Sequence, residues 1–171
     1  MRPTLGTRIE GFARGFVPVG LTTVLLLMSV APTHLPGFVH IAPMIALISV
    51  YFWAVTEPDA MGYGSAFFLG LVQDSLTGAP LGVGALALLL ARMTVFTQQK
   101  FFLGKPFMVT WWAFSLVAMG IGFVRWICVC LYYGTVVDGS SELFSVIFTV
   151  AVYPLFAWLF GRVHILFFRE S

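Results

Sequence analysis

Six apolar segments, each closed by a short turn-rich piece, leave this chain little choice but a lipid bilayer. They cover about 15–31, 39–55, 60–73, 80–97, 107–133 and 143–161. Between them lie 32–40, 56–59, 74–79, 98–106 and 134–142, where Gly, Pro and polar residues gather. The 171 residues include only nine Lys or Arg and seven Asp or Glu, 9% in all, against about 25% in an average soluble domain. A soluble globule of this size needs a polar shell that so few charges cannot make. At 60% hydrophobic the chain is no disordered tail. A net charge of +2 without a dense basic stripe speaks against nucleic-acid binding. The expectation is an all-α polytopic bundle of six transmembrane helices, one transmembrane domain over 1–171 with short tails.

Charge placement orients the spans, because cytoplasmic loops collect Lys and Arg. Arg2, Arg8 and Arg14 put the N-terminus inside, and the basic run before 16–31 reads as an uncleaved first helix, not a removed signal. The first connection has no Lys or Arg and falls outside. Lys100 and Lys105 place the fourth connection inside, and Arg162 and Arg169 place the C-terminus inside. Six spans satisfy all of these; four, without the second and third, satisfy the same parity. The third segment is the short one. About 14 residues reach roughly 21 Å against a hydrocarbon core of roughly 30 Å, so it is a thin span or a re-entrant helix. Trp53, Trp111, Trp112 and Trp158 are expected near the inner boundary, and Trp126, Tyr132 and Tyr133 near the outer one.

Ionisable residues at membrane depth are candidates for function, and three stand out: Asp74, Arg92 and Arg125. Arg92 is close enough to the inner end of its helix to snorkel to the interface. Asp74 has two readings. It pairs with Arg125 at the outer side, or it is a turn residue bonding backbone N–H groups before the fourth helix. Gly62, Ala66 and Gly70 precede Asp74 at steps of four, a face on which another helix can approach closely. Ala118 and Gly122 repeat the pattern on the fifth segment. Gly78, Pro80 and Gly82 read as a turn into a helix, with Pro80 near its first position.

Little else suggests chemistry. Cys128 and Cys130 point to opposite faces of a helix. His34, His40 and His164 are too scattered for a zinc set. There is no HExxH, Walker loop or GxGxxG. No cofactor or metal is expected, and no enzyme.

The stretch 67–86, FFLGLVQDSLTGAPLGVGAL, resembles the rod shape-determining protein MreD family. The family's Gly-x-x-x-Asp matches Gly70 and Asp74, its following Gly matches Gly78, and its Leu-Gly-x-x-Ala-Leu matches Leu81, Gly82, Ala85 and Leu86. Pro43, Gly64 and Pro154 fit the same pattern. The resemblance implies a non-enzymatic inner-membrane subunit of the cell-elongation machinery, with both termini cytoplasmic. It implies MreC as partner, the synthases RodA and penicillin-binding protein 2 beside it, and MreB indirectly. It also implies a fold similar to the substrate-binding component of energy-coupling-factor transporters. On this reading Gly62, Ala66, Gly70, Asp74, Gly78, Pro80, Gly82 and Arg125 are the residues expected to shape the bundle and receive a partner helix in lipid. The rival reading is a solute-binding component of a vitamin or small-metabolite transporter.

Overall fold

The computed structural model describes residues 5–30, 44–102 and 104–168. Their regular structure is helical throughout: α1 (Leu5–Val30), α2 (Ile45–Thr56), α3 (Tyr63–Thr77), α4 (Val83–Phe102), α5 (Phe107–Tyr133) and α6 (Ser140–Phe168). There is no strand among the described residues. Each expected segment contributes one helix. The connection 32–40 with His34 and His40, the start of the second segment with Pro43, and Arg2 and Arg169 lie outside the described residues.

Length and hydropathy divide the helices. α5 and Ser140–Leu166 of α6 each have 27 residues, with an 18-residue stretch of mean hydropathy 2.0 and 2.1 respectively. At about 1.5 Å per residue each is longer than the hydrocarbon core, so both are able to cross a membrane. α1 and α4 carry shorter apolar stretches, Gly15–Ser29 and Val83–Gln98. α2 has 12 residues and α3 has 15, about 18 Å and 22 Å.

The shortest helix is the axis of the bundle. Nine of the 12 residues of α2 are buried, because α1, α3, α4 and α6 all pack on it while α5 lies between α4 and α6. Tyr51, Phe114 and Tyr153 join α2, α5 and α6 through ring contacts, with Phe114 and Tyr153 stacked at 4.1 Å. Trp53 is fully buried against Phe160. α2 ends inside a ring of longer helices, so a residue one turn from its end is still enclosed. Trp112 and Trp158 do face outward.

A helix that begins inside a bundle has N–H groups with no water to take them. The Met44 N–H at the head of α2 donates to Thr149 Oγ1 at 2.9 Å, and that hydroxyl donates to Ser145 O. Thr22 of α1 donates to Pro18 O, leaving Ser49 of α2 to donate to Thr22 Oγ1. In α6, Pro154 has no N–H for the Val150 carbonyl one turn back. Trp111 Nε1 of α5 donates to that carbonyl at 3.1 Å.

Candidate functional site

The sequence block that carries the family resemblance folds into the corner between α3 and α4. α3 closes on Gly78 in the left-handed region at φ 69°, where glycine has no side-chain penalty. The chain then turns through Pro80, and Gly82 at φ 103° leads into α4. Gly82 O accepts from Leu86 N at 2.8 Å, so Gly82 caps the helix. Asp74, on the last turns of α3, reaches across. Its Oδ2 accepts from Gly82 N at 2.9 Å, and both its oxygens accept from Gly84 N at 2.9 Å. The carboxylate is 1% exposed. It satisfies two orphan donors of a helix start and opposes the positive end of the helix dipole.

Glycine makes this reach possible. A Cβ on Gly84 would sit 3.0 Å from Asp74 Cγ and closer still to Oδ1. One turn up α3, a Cβ on Gly70 would lie 2.5 Å from Ala85 N. Ala66, another turn along, is fully buried. The face Ala66, Gly70, Asp74 is therefore the seam between α3 and α4 within the chain. This corrects the expectation that the face receives a partner helix, since α4 already occupies it. Gly62 differs: it precedes α3, and a Cβ there would meet nothing within 4 Å.

Of the two readings of Asp74, the turn residue is the one observed. Arg125 lies with Nε 3.5 Å from Glu142 Oε1 of α6, both side chains largely buried. It shares a small internal cavity with Gln73 and Gly84. Asp74 is turned to the α4 N–H groups, while the short link between α5 and α6 brings Glu142 beside Arg125. Glu142 was missed as a partner because it reads as a connection residue, yet α6 starts two residues earlier at Ser140.

Arg92 also has a structural task, and its partner is backbone, not interfacial water. Nε donates to Met61 O at 2.7 Å and Nη2 to Pro58 O at 3.0 Å, holding the turn between α2 and α3. The rings of Tyr63 and Phe96 flank its guanidinium. At the same end, His164 Nε2 of α6 lies 3.0 Å from Glu57 Oε1. Among the described residues no three His, Cys, Asp or Glu side chains gather as a metal set. Cys128 and Cys130 are free thiols.

α5 and α6 expose many large apolar side chains. Leu116, Met119, Phe123 and Leu143 are all more than half exposed. Between the Asp74-end halves of these helices runs an apolar groove of about 670 Å³, floored by Gly120, Gly122, Gly139 and Val146 with Trp126 and Glu142 at its end. A Cβ on Gly122 would strike Val146 Cγ2, so Gly122 lets α6 approach. A Cβ on Gly120 would meet nothing within 4 Å. Trp126 Nε1 donates to Val137 O at 2.9 Å and fixes the turn that closes the groove.

Comparison with known proteins gives one family. The family model described as rod shape-determining protein MreD matches residues 12–163. An uncharacterized protein of Rickettsia prowazekii is 24% identical over 119 residues, 70% of this chain. The chain spans 65% of that relative's length. No solved structure matches.

Proposed function

Because this chain belongs to the rod shape-determining protein MreD family, we propose that it is a non-enzymatic scaffold of the bacterial elongation complex in the inner membrane. All six helices cross or enter the bilayer with the Lys105 end cytoplasmic, and both termini lie on that side. The likeness to the substrate-binding components of energy-coupling-factor transporters belongs to the same proposal. The groove between α5 and α6 receives a transmembrane helix of MreC, and RodA with penicillin-binding protein 2 assembles on that pair, with MreB coupled indirectly.

One observation carries the choice of face. The α3 seam is filled by α4, whereas the α5–α6 groove is helix-sized, apolar and glycine-floored. In lipid, association rests on close packing and a few polar contacts, and a glycine floor permits both. Gly120→Leu is the direct test, because Gly120 lines the groove and a Cβ there meets none of the chain's own atoms within 4 Å. Gly161→Leu on α6, also without a neighbour within 4 Å, is the control. Gly120→Leu is expected to reduce co-purification of MreC from membranes at least tenfold while Gly161→Leu leaves it unchanged. Equal recovery with both variants contradicts the assignment.

A further inference from the structure

Glu142 is the one ionisable side chain that lines the groove between α5 and α6. Its carboxylate pairs with Arg125, Nε to Oε1 at 3.5 Å, and the two side chains are 25% and 15% exposed. That separation is well beyond the roughly 2.7–2.9 Å of a charge-assisted hydrogen bond. Glu142 Oε1 and Arg125 Nε are both buried without a hydrogen bond. Charge is therefore balanced at this point, but hydrogen bonding is not. A buried ion pair offsets the cost of leaving water only when further hydrogen bonds take up its remaining sites, and a carboxylate can accept about four. The donors nearest along the chain are engaged elsewhere. Trp126 Nε1, also in the groove, donates to Val137 O at 2.9 Å. The N–H and the hydroxyl of Ser140 both go to Asp138, and the Leu143 N–H goes to Gly139 O.

We propose that the missing donor arrives with the occupant: the helix seated in this groove carries an uncharged hydrogen-bond donor, a hydroxyl, amide or indole N–H, that binds Glu142. A cationic side chain does not fit the same place, because Arg125 already balances the carboxylate and would repel it. The inference rests on the assignment of the groove to a partner helix and adds what selects that helix. The rest of the groove is apolar and glycine-floored, and such a surface accepts many membrane helices alike. One polar contact at its end fixes which helix binds and in what register, as a single polar position does in a coiled coil. A helix with an apolar residue at that level leaves Glu142 unsatisfied and is rejected.

The experiment measures recovery of MreC with the full chain from membranes and removes the polar pair as a unit. Arg125→Met combined with Glu142→Leu keeps the volume and strands no charge, so thermal unfolding in detergent is expected to match wild type. MreC recovery is expected to fall about tenfold, because the partner's donor loses its acceptor. A pair that serves only the chain's own fold predicts undiminished recovery. A second arm leaves this chain unaltered. Each Ser, Thr, Asn, Gln, Tyr, Trp, Lys and Arg of the MreC transmembrane helix is replaced in turn by an apolar residue of similar size. One uncharged position is expected to reproduce the loss and to add nothing further when combined with the Arg125→Met and Glu142→Leu chain. If the pair variant loses its fold, this arm decides alone. Gly120→Leu separates the two possible failures. If it abolishes recovery while the pair variant recovers MreC like wild type, or while no uncharged position on the partner responds, the donor is overturned and the groove assignment stands. Wild-type recovery with both Gly120→Leu and the pair variant overturns both.

Discussion

The α3–α4 corner and the α5–α6 pair use glycine for opposite ends. In the corner, Gly70 and Gly84 each remove a side chain that would collide with the neighbouring helix or with Asp74, and Gly78 and Gly82 take backbone conformations with positive φ. The space at Gly70 and Gly84 is taken by the chain itself. On α5, Gly122 meets Val146, but Gly120 faces open space. The contrast separates what the chain needs to fold from what it offers outward. Short helices at the corner depend on specific residues, because they have little apolar length with which to hold themselves. The long helices are secured by lipid and can leave a face uncommitted.

The contrast breaks most visibly at Asp74. Asp74→Ala strands the buried Gly84 N–H and the half-buried Gly82 N–H at the start of α4, a loss of roughly 3 kcal/mol, and Gly70→Leu forces α3 and α4 apart at similar cost. Thermal unfolding in detergent is expected to show both as the least stable variants, with MreC recovery falling only as far as folded protein falls. Gly82→Ala follows, at about 1–2 kcal/mol for a side chain at φ 103°. Gly120→Leu is expected to change stability by less than about 0.5 kcal/mol, which sharpens the comparison because its effect on partner recovery is then not a folding defect. The smallest effect concerns the turn before α6. Ser140 donates its backbone N–H and its hydroxyl to Asp138, holding that carboxyl below its ordinary range. A depressed folded-state value means its contribution is present above the unfolded-state value, ordinarily 3.8, and is lost as pH falls through the folded value. Melting curves of wild type and Asp138→Asn should differ least below about pH 4.

The six helices were legible because each apolar run is bounded by turn residues, and α5 starts and ends where its apolar segment does. The corner was legible as a turn because Gly78, Pro80 and Gly82 have few other uses. Its interior was not. That Asp74 faces α4 and not Arg125 depends on the approach of two helices, which spacing at steps of four indicates without naming the partner. The enclosure of Trp53 by protein was hidden for a related reason. A helix apolar all round reads the same whether lipid or protein surrounds it, and α2 turned out to be the enclosed one. The Trp111 bond to Val150 had a signal that went unused: a proline within a helix exposes the carbonyl four residues back, and a buried donor is then required near it.

The central claim is that the α3 face serves the chain itself while the α5–α6 groove serves a partner. Photo-crosslinking in native membranes tests it most directly, with the reactive residue placed at Leu116 or Leu143 in the groove and at Phe67 on the exposed side of α3. The account predicts that both groove positions capture MreC through its transmembrane helix and that Phe67 captures lipid. Capture of MreC from Phe67, with none from Leu116 or Leu143, would contradict it.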